Sequence, residues 1–154
     1  MALLTIALSL VWSHSAIAEP LPSTRGEVLL HQAIWLALPL LFALFLVMLK
    51  RGRSADLILG FASRESANGL ETAVLGNTIE QTLLAGLALA AFVASCPSTE
   101  RSTVHAFIAL FLSGRLFFYL GYRLNPMWRI YGFSLNFYSS AALIALAAYF
   151  AAAR

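Results

Sequence analysis

Apolar residues fall into four long runs, each broken by few polar positions. The runs are Val28 to Leu49, about Ala73 to Ser95, Thr103 to Tyr122, and Pro126 to about Ala153. Each is near the roughly 20 residues that a helix needs to cross a bilayer. The pattern predicts four membrane-spanning helices and no strand, hence an all-α integral membrane four-helix bundle over residues 28–154. Pro39 should kink the first helix, and neighbouring helices can satisfy the carbonyl it frees. Asn125-Pro126 reads as an N-cap followed by the first helical position of the last span. Ser54 to Glu71 reads as a polar connection with Gly60 and Gly69 as breakers. Gly132, Asn136, Ser139 and Ser140 recur near four-residue spacing in the fourth span, a pattern suited to close helix packing.

The first 27 residues form a separate segment. Ala2 to Trp12 is apolar but too short to span a bilayer. Ala16-Ile17-Ala18 after it resembles a signal-peptide cleavage site, although no Lys or Arg precedes the apolar stretch. A cleaved signal, a retained apolar arm and a misassigned start all fit. Glu19 to Thr24 reads as an extended linker.

Composition supports the membrane reading. Of 154 residues, 60% are hydrophobic and 11% charged, against about a quarter charged in a soluble domain. A net charge of +3 gives no reason to expect nucleic-acid binding. The distribution of charge says more. Lys50, Arg51, Arg53, Arg64, Arg123 and Arg129 lie around the connections after spans one and three; Arg25, Arg101 and Arg154 lie at the other side. The positive-inside rule then puts both termini outside and the basic loops in the cytoplasm, of either a bacterial inner membrane or the endoplasmic reticulum. The single cysteine, Cys96, allows no intrachain disulfide and reads as a small apolar residue at a helix end. His31 and His105 lie far from the charged cluster, and no spacing suggests a metal site.

Two charges interrupt the spans. On a helix Asn77, Glu80, Gln81 and Leu84 share a face, and Glu80 lies where a carboxylate should meet a partner or a cavity. Arg115, in span three, is at a similar depth from the cytoplasmic surface, so a Glu80–Arg115 pair is expected. Asn77, Glu80, Arg115, Tyr122 and Arg129 would then line the cytoplasmic third beneath Lys50, Arg51 and Arg53. Such a pair can equally fix helix register, and Arg129 alone can anchor at the interface. A small proton-coupled transporter built on Glu80 and Arg115 is a further reading, opposed by four spans without an inverted repeat.

These residues also carry a resemblance. Asn77-Thr78-Ile79-Glu80-Gln81 is similar to the N-x-x-E motif of the membrane-associated proteins in eicosanoid and glutathione metabolism, the MAPEG family. Gly114-Arg115-Leu116-Phe117-Phe118-Tyr119-Leu120-Gly121-Tyr122, followed by Arg129 and Gly132-Phe133, is similar to that family's third-helix motif and the arginine beyond it. The resemblance covers about Val28 to Ala153. It implies a homotrimer with glutathione in a cytoplasm-facing cleft between adjacent subunits. Asn77, Glu80 and Tyr122 look like contacts to the tripeptide, and Arg115, within the third-helix motif, joins them as a glutathione-binding residue. Arg129 looks like the arginine that holds the glutathione thiolate, and Lys50, Arg51 or Arg53 would hold its carboxylates. The implied activity is a glutathione transferase or peroxidase acting on a lipophilic electrophile from the bilayer. A guanidinium lowers a thiol pKa and raises the share of nucleophile. Three positions depart from the family pattern: Ala73 where catalytic members carry arginine, Phe118 at a tyrosine position, and Gln81 where some members have an aromatic residue. Ala73 and Phe118 favour the alternative of a non-enzymatic lipid-binding scaffold of the same fold.

Overall fold

The computed structural model describes residues 24–53, 69–97 and 102–153. They form four α-helices: α1 Arg25–Gly52, α2 Leu70–Ser95, α3 Ser102–Arg123 and α4 Pro126–Ala152. Each is long and apolar enough to cross a membrane. The signal-like segment and the connection 54–68 lie outside the described residues.

Local chemistry sets the helix ends slightly beyond the apolar runs. α1 begins at Arg25 because Thr24 and Glu27 make a capping box, in which the Thr24 side chain accepts from the Glu27 N–H and Glu27 accepts from the Thr24 N–H. Thr24 is therefore the N-cap of α1 and not a linker residue. Gly69 caps α2 in an extended conformation, which starts that helix at Leu70. The Asn125 side chain accepts from the Met127 N–H at 2.9 Å, and Pro126 occupies the first turn of α4, as the sequence indicates. α1 continues unbroken through Pro39.

The contacts fix the arrangement. α1 and α2 are antiparallel, tied at one end by Lys50 Nζ on Glu71 Oε2 at 2.8 Å. At the other end Arg25 Nη1 donates to the Ala94 carbonyl at 2.7 Å. α3 and α4 are antiparallel and lie closest together. A Cβ on Gly132 would collide with the backbone of Phe118 and Gly114, and one on Gly121 with the backbone of Arg129. Glycine is what lets these two helices approach to backbone contact. α2 packs on both α1 and α4, whereas α1 and α3 touch little. The order around the bundle is thus α1, α2, α4, α3, with a gap between the first and last.

The two ends of the bundle differ. Towards Cys96 the interior is mainly apolar: Phe92, Val93, Phe107, Phe111, Leu143 and Ala147 join one buried cluster, and Gln32 and Thr103 are buried polar side chains at the same end. Cys96 is buried in it, as expected of a small apolar residue at a helix end. Towards Lys50 the interior holds Arg115, Asn136, Gln81 and Ser139, all buried.

Candidate functional site

At the Lys50 end, Arg115 of α3 is the central charge. Only 5% of its surface is exposed. The expected Glu80–Arg115 pair does not form. Arg115 Nη1 donates instead to Asn77 Oδ1 on α2 at 3.1 Å. Its other face meets Asn136 on α4. The carboxamide of Asn136 is oriented by its surroundings, with its oxygen accepting from Arg115 Nε at 2.5 Å and Nη2 at 3.1 Å. Its nitrogen donates to the Phe111 carbonyl at 3.1 Å. Two neutral amides from two helices thus hold one guanidinium, giving it hydrogen bonds without neutralising its charge.

Helix azimuth explains the miss. Val74, Thr78, Gln81 and Ala85 form the buried stripe of α2. At about 100° per residue Asn77 stands at the edge of that stripe, and Glu80 a further 300° on, well round towards the exposed side. Glu80 is accordingly exposed, with Ile79 and Leu83 exposed beside it. Matching depth placed Glu80 and Arg115 at one height but could not place them on facing sides.

From Arg115 a line of rings leads to Arg129. The Arg115 guanidinium lies over the Phe118 ring, 4.7 Å from its centroid. Phe118 meets Tyr122 edge to face at 5.2 Å. Arg129, in the first turns of α4, lies over the Tyr122 ring at 5.0 Å. The alternation places each guanidinium against a π-face, an arrangement favoured by the ring quadrupole. Arg129 is exposed and Tyr122 half-buried, so this end of the line is accessible while Arg115 is not. Gly121 makes the geometry possible, since the Arg129 backbone packs against it.

The structure therefore joins Asn77, Arg115, Tyr122 and Arg129 into one contacting set and leaves four predicted residues, Glu80, Lys50, Arg51 and Arg53, outside it. Glu80 is on the exposed side of α2. Arg51 and Arg53 are exposed at the end of α1, where Arg53 serves as the C-cap. Lys50 is held by Glu71 in the first turn of α2. Ala73 is exposed on α2, two residues from that ion pair.

Beside Arg115 the gap between α1 and α3 opens into a cleft of about 250 Å³. Leu38, Pro39 and Phe42 of α1 form one wall, Leu116, Phe118 and Tyr119 of α3 the other, with Val74 and Thr78 of α2 at its base. Arg115 contributes the one charge among these lining residues. The α1 residues were not singled out by sequence, because an apolar residue lining a cleft has the same pattern as one facing lipid. Asn136 was read as a packing residue, and its near four-residue spacing with Gly132 and Ser140 was the available signal. Among the described residues no group of three or more His, Cys, Asp or Glu can hold a metal ion.

The model of the MAPEG family matches residues 29–149, which reach into all four helices and include every residue of the contacting set. No curated protein and no solved structure matches the chain.

Proposed function

This chain belongs to the MAPEG family, and from that premise we propose that it is a membrane-bound glutathione transferase or peroxidase. The observation that carries the reading is the accessible Arg129 guanidinium over Tyr122, in continuous contact with Arg115 and Asn77. Arg129 would stabilise the glutathione thiolate, with the Tyr122 hydroxyl beside it as a donor. Asn77, its Oδ1 fixed by Arg115, keeps its amide N–H groups for the tripeptide. Glutathione supplies the nucleophile. Its sulfur would attack the electrophilic carbon of a lipophilic substrate, breaking the bond to the leaving group, which takes up a proton; with a hydroperoxide it would break the O–O bond, giving the alcohol and a sulfenic acid that a second glutathione converts to the disulfide and water.

Glu80 enters this reading through a second copy of the chain. A carboxylate on the exposed side of a membrane helix is costly when it faces lipid. A homotrimer that covers that side of α2 removes the cost and puts Glu80 at a boundary between subunits. Arg51 and Arg53, exposed at the end of α1, would meet the carboxylates of glutathione there. This arrangement has the basic end in the cytoplasm and both termini outside.

The test is conjugation of glutathione to a model electrophile. Arg129→Ala should lose most activity while the protein stays folded and oligomeric. Unchanged conjugation in that variant would overturn the role of Arg129.

One observation favours the second reading, a lipid-binding scaffold without catalysis. The cleft between α1 and α3 is walled mostly by apolar side chains, with Tyr119, Thr78 and Arg115 the polar ones, and Phe118 offers no hydroxyl to a thiol. On this reading lipid stays with the protein through purification, and adding glutathione produces no thiolate.

A further inference from the structure

α2 and α4 each carry a buried polar atom that neither catalysis nor lipid binding uses. Gln81 Oε1 and Ser140 Oγ are buried and meet no hydrogen-bond partner among the described residues. Gln81 is 5% exposed and Ser140 1%. Their relative height follows from Arg115. Its guanidinium bonds Asn77 on α2 and Asn136 on α4, so those two residues stand at one level. Further along, the Phe92 ring of α2 meets the Phe150 ring of α4 with centroids 6.2 Å apart, and these residues follow Asn77 and Asn136 in their helices by nearly the same interval. α2 and α4 therefore run in the same direction. Gln81 lies four residues beyond Asn77, and Ser140 four residues beyond Asn136. Both are one turn, about 6 Å, further towards the Cys96 end. The two orphaned oxygens thus share the next level, on two helices that pack together.

We propose that a water molecule is bound at this level, bridging Gln81 Oε1 and Ser140 Oγ. It rests on that register and is independent of glutathione binding. Water fits because both groups are oxygens, and the carboxamide oxygen can only accept. The bridging molecule must donate to Gln81, and it can donate to or accept from the Ser140 hydroxyl. A buried polar atom without a partner costs about 1–3 kcal/mol, which is the usual reason that interior waters are retained. The common alternative for a helical serine is to bond the carbonyl four residues back. For Ser140 that carbonyl belongs to Asn136. It already accepts from Ser139 Oγ at 3.1 Å, in addition to its helical N–H bond, so both lone pairs are used. Thr82 Oγ1, also without a partner, projects from α2 about 100° away and is not part of this bridge.

Water-edited solid-state NMR of the protein in lipid bilayers tests the proposal. Magnetisation transferred from water should appear early at the Gln81 side-chain carbon and stay absent from the Leu89 methyls, two turns deeper. Ser140→Ala should weaken the Gln81 signal. A Gln81 signal as slow as that of Leu89 would overturn the proposal in the unaltered protein, whatever the variants do. A thermal-stability cycle gives a second readout. If one water serves both groups, Gln81→Leu and Ser140→Ala together should shift the midpoint by less than the sum of the two single shifts. Strict additivity would mean that the two oxygens do not share a ligand.

Discussion

The Cys96 end and the Lys50 end of the bundle solve the same packing problem differently. At the Cys96 end Phe92, Phe111, Val93 and Leu143 fill the interior, and no charge is needed to define it. At the Lys50 end α3 and α4 meet through glycine, Arg115 is clasped by two amides, and α1 stands away from α3 to leave a cleft. Apolar filling tolerates little ligand. Hydrogen-bonded spacing leaves room and places donors beside it. A four-helix bundle that binds something within the membrane needs the second device at one end and the first at the other.

Substitutions can break that contrast. The largest loss should come from Phe92→Ala, which empties a fully buried volume at the Cys96 end. About 3–5 kcal/mol is expected in reversible unfolding, with the chemistry at Arg129 retained by the molecules that stay folded. Gly132→Ala should cost about 1–3 kcal/mol by forcing α4 off Phe118 and Gly114. Unlike Phe92→Ala, it should also displace Arg129 from Tyr122 and lower activity. If activity survived with stability reduced, the glycine contact would have no part in building the site. Arg115→Met should cost a similar 1–3 kcal/mol because Asn77 and Asn136 lose their shared donor. Adding Asn136→Leu should recover part of it, since an apolar pair replaces a half-satisfied one; no recovery would mean that Asn136 does not depend on Arg115. Least affected should be Lys50→Ala. The Lys50–Glu71 pair is partly exposed, and such pairs contribute at most about 1 kcal/mol and are screened by salt. A loss several times larger would make this end of α1 a structural anchor.

Much of the fold was legible in the sequence because four apolar runs of spanning length admit few alternatives. The helix starts came earlier than hydrophobicity alone indicates, since Thr24, Glu27 and Gly69 are polar or small and act through the backbone. The sequence placed Tyr122 and Arg129 in one lining set, but the stacking of the guanidinium over the ring came only from the structure. The partner of Arg115 did not follow. Depth along a helix comes directly from residue number, but azimuth depends on which neighbours each helix meets: Gly114, Gly121 and Gly132 set it between α3 and α4, and burial of Val74, Thr78, Gln81 and Ala85 sets it for α2. Asn136 therefore reached Arg115, whereas Glu80 was turned to the outside. The cleft was invisible for a related reason: Leu38 and Phe42 look alike in sequence whether they face lipid or line a cavity.

The central claim is that the Lys50 end holds a thiol-activating site centred on Arg129. The most direct measurement is the ultraviolet difference absorbance of glutathione added to the detergent-purified protein, beside Arg129→Ala. Thiolate absorbance with the unaltered protein that disappears in the variant is the predicted result. Equal absorbance in both, or none with protein shown to be folded and oligomeric, would contradict it.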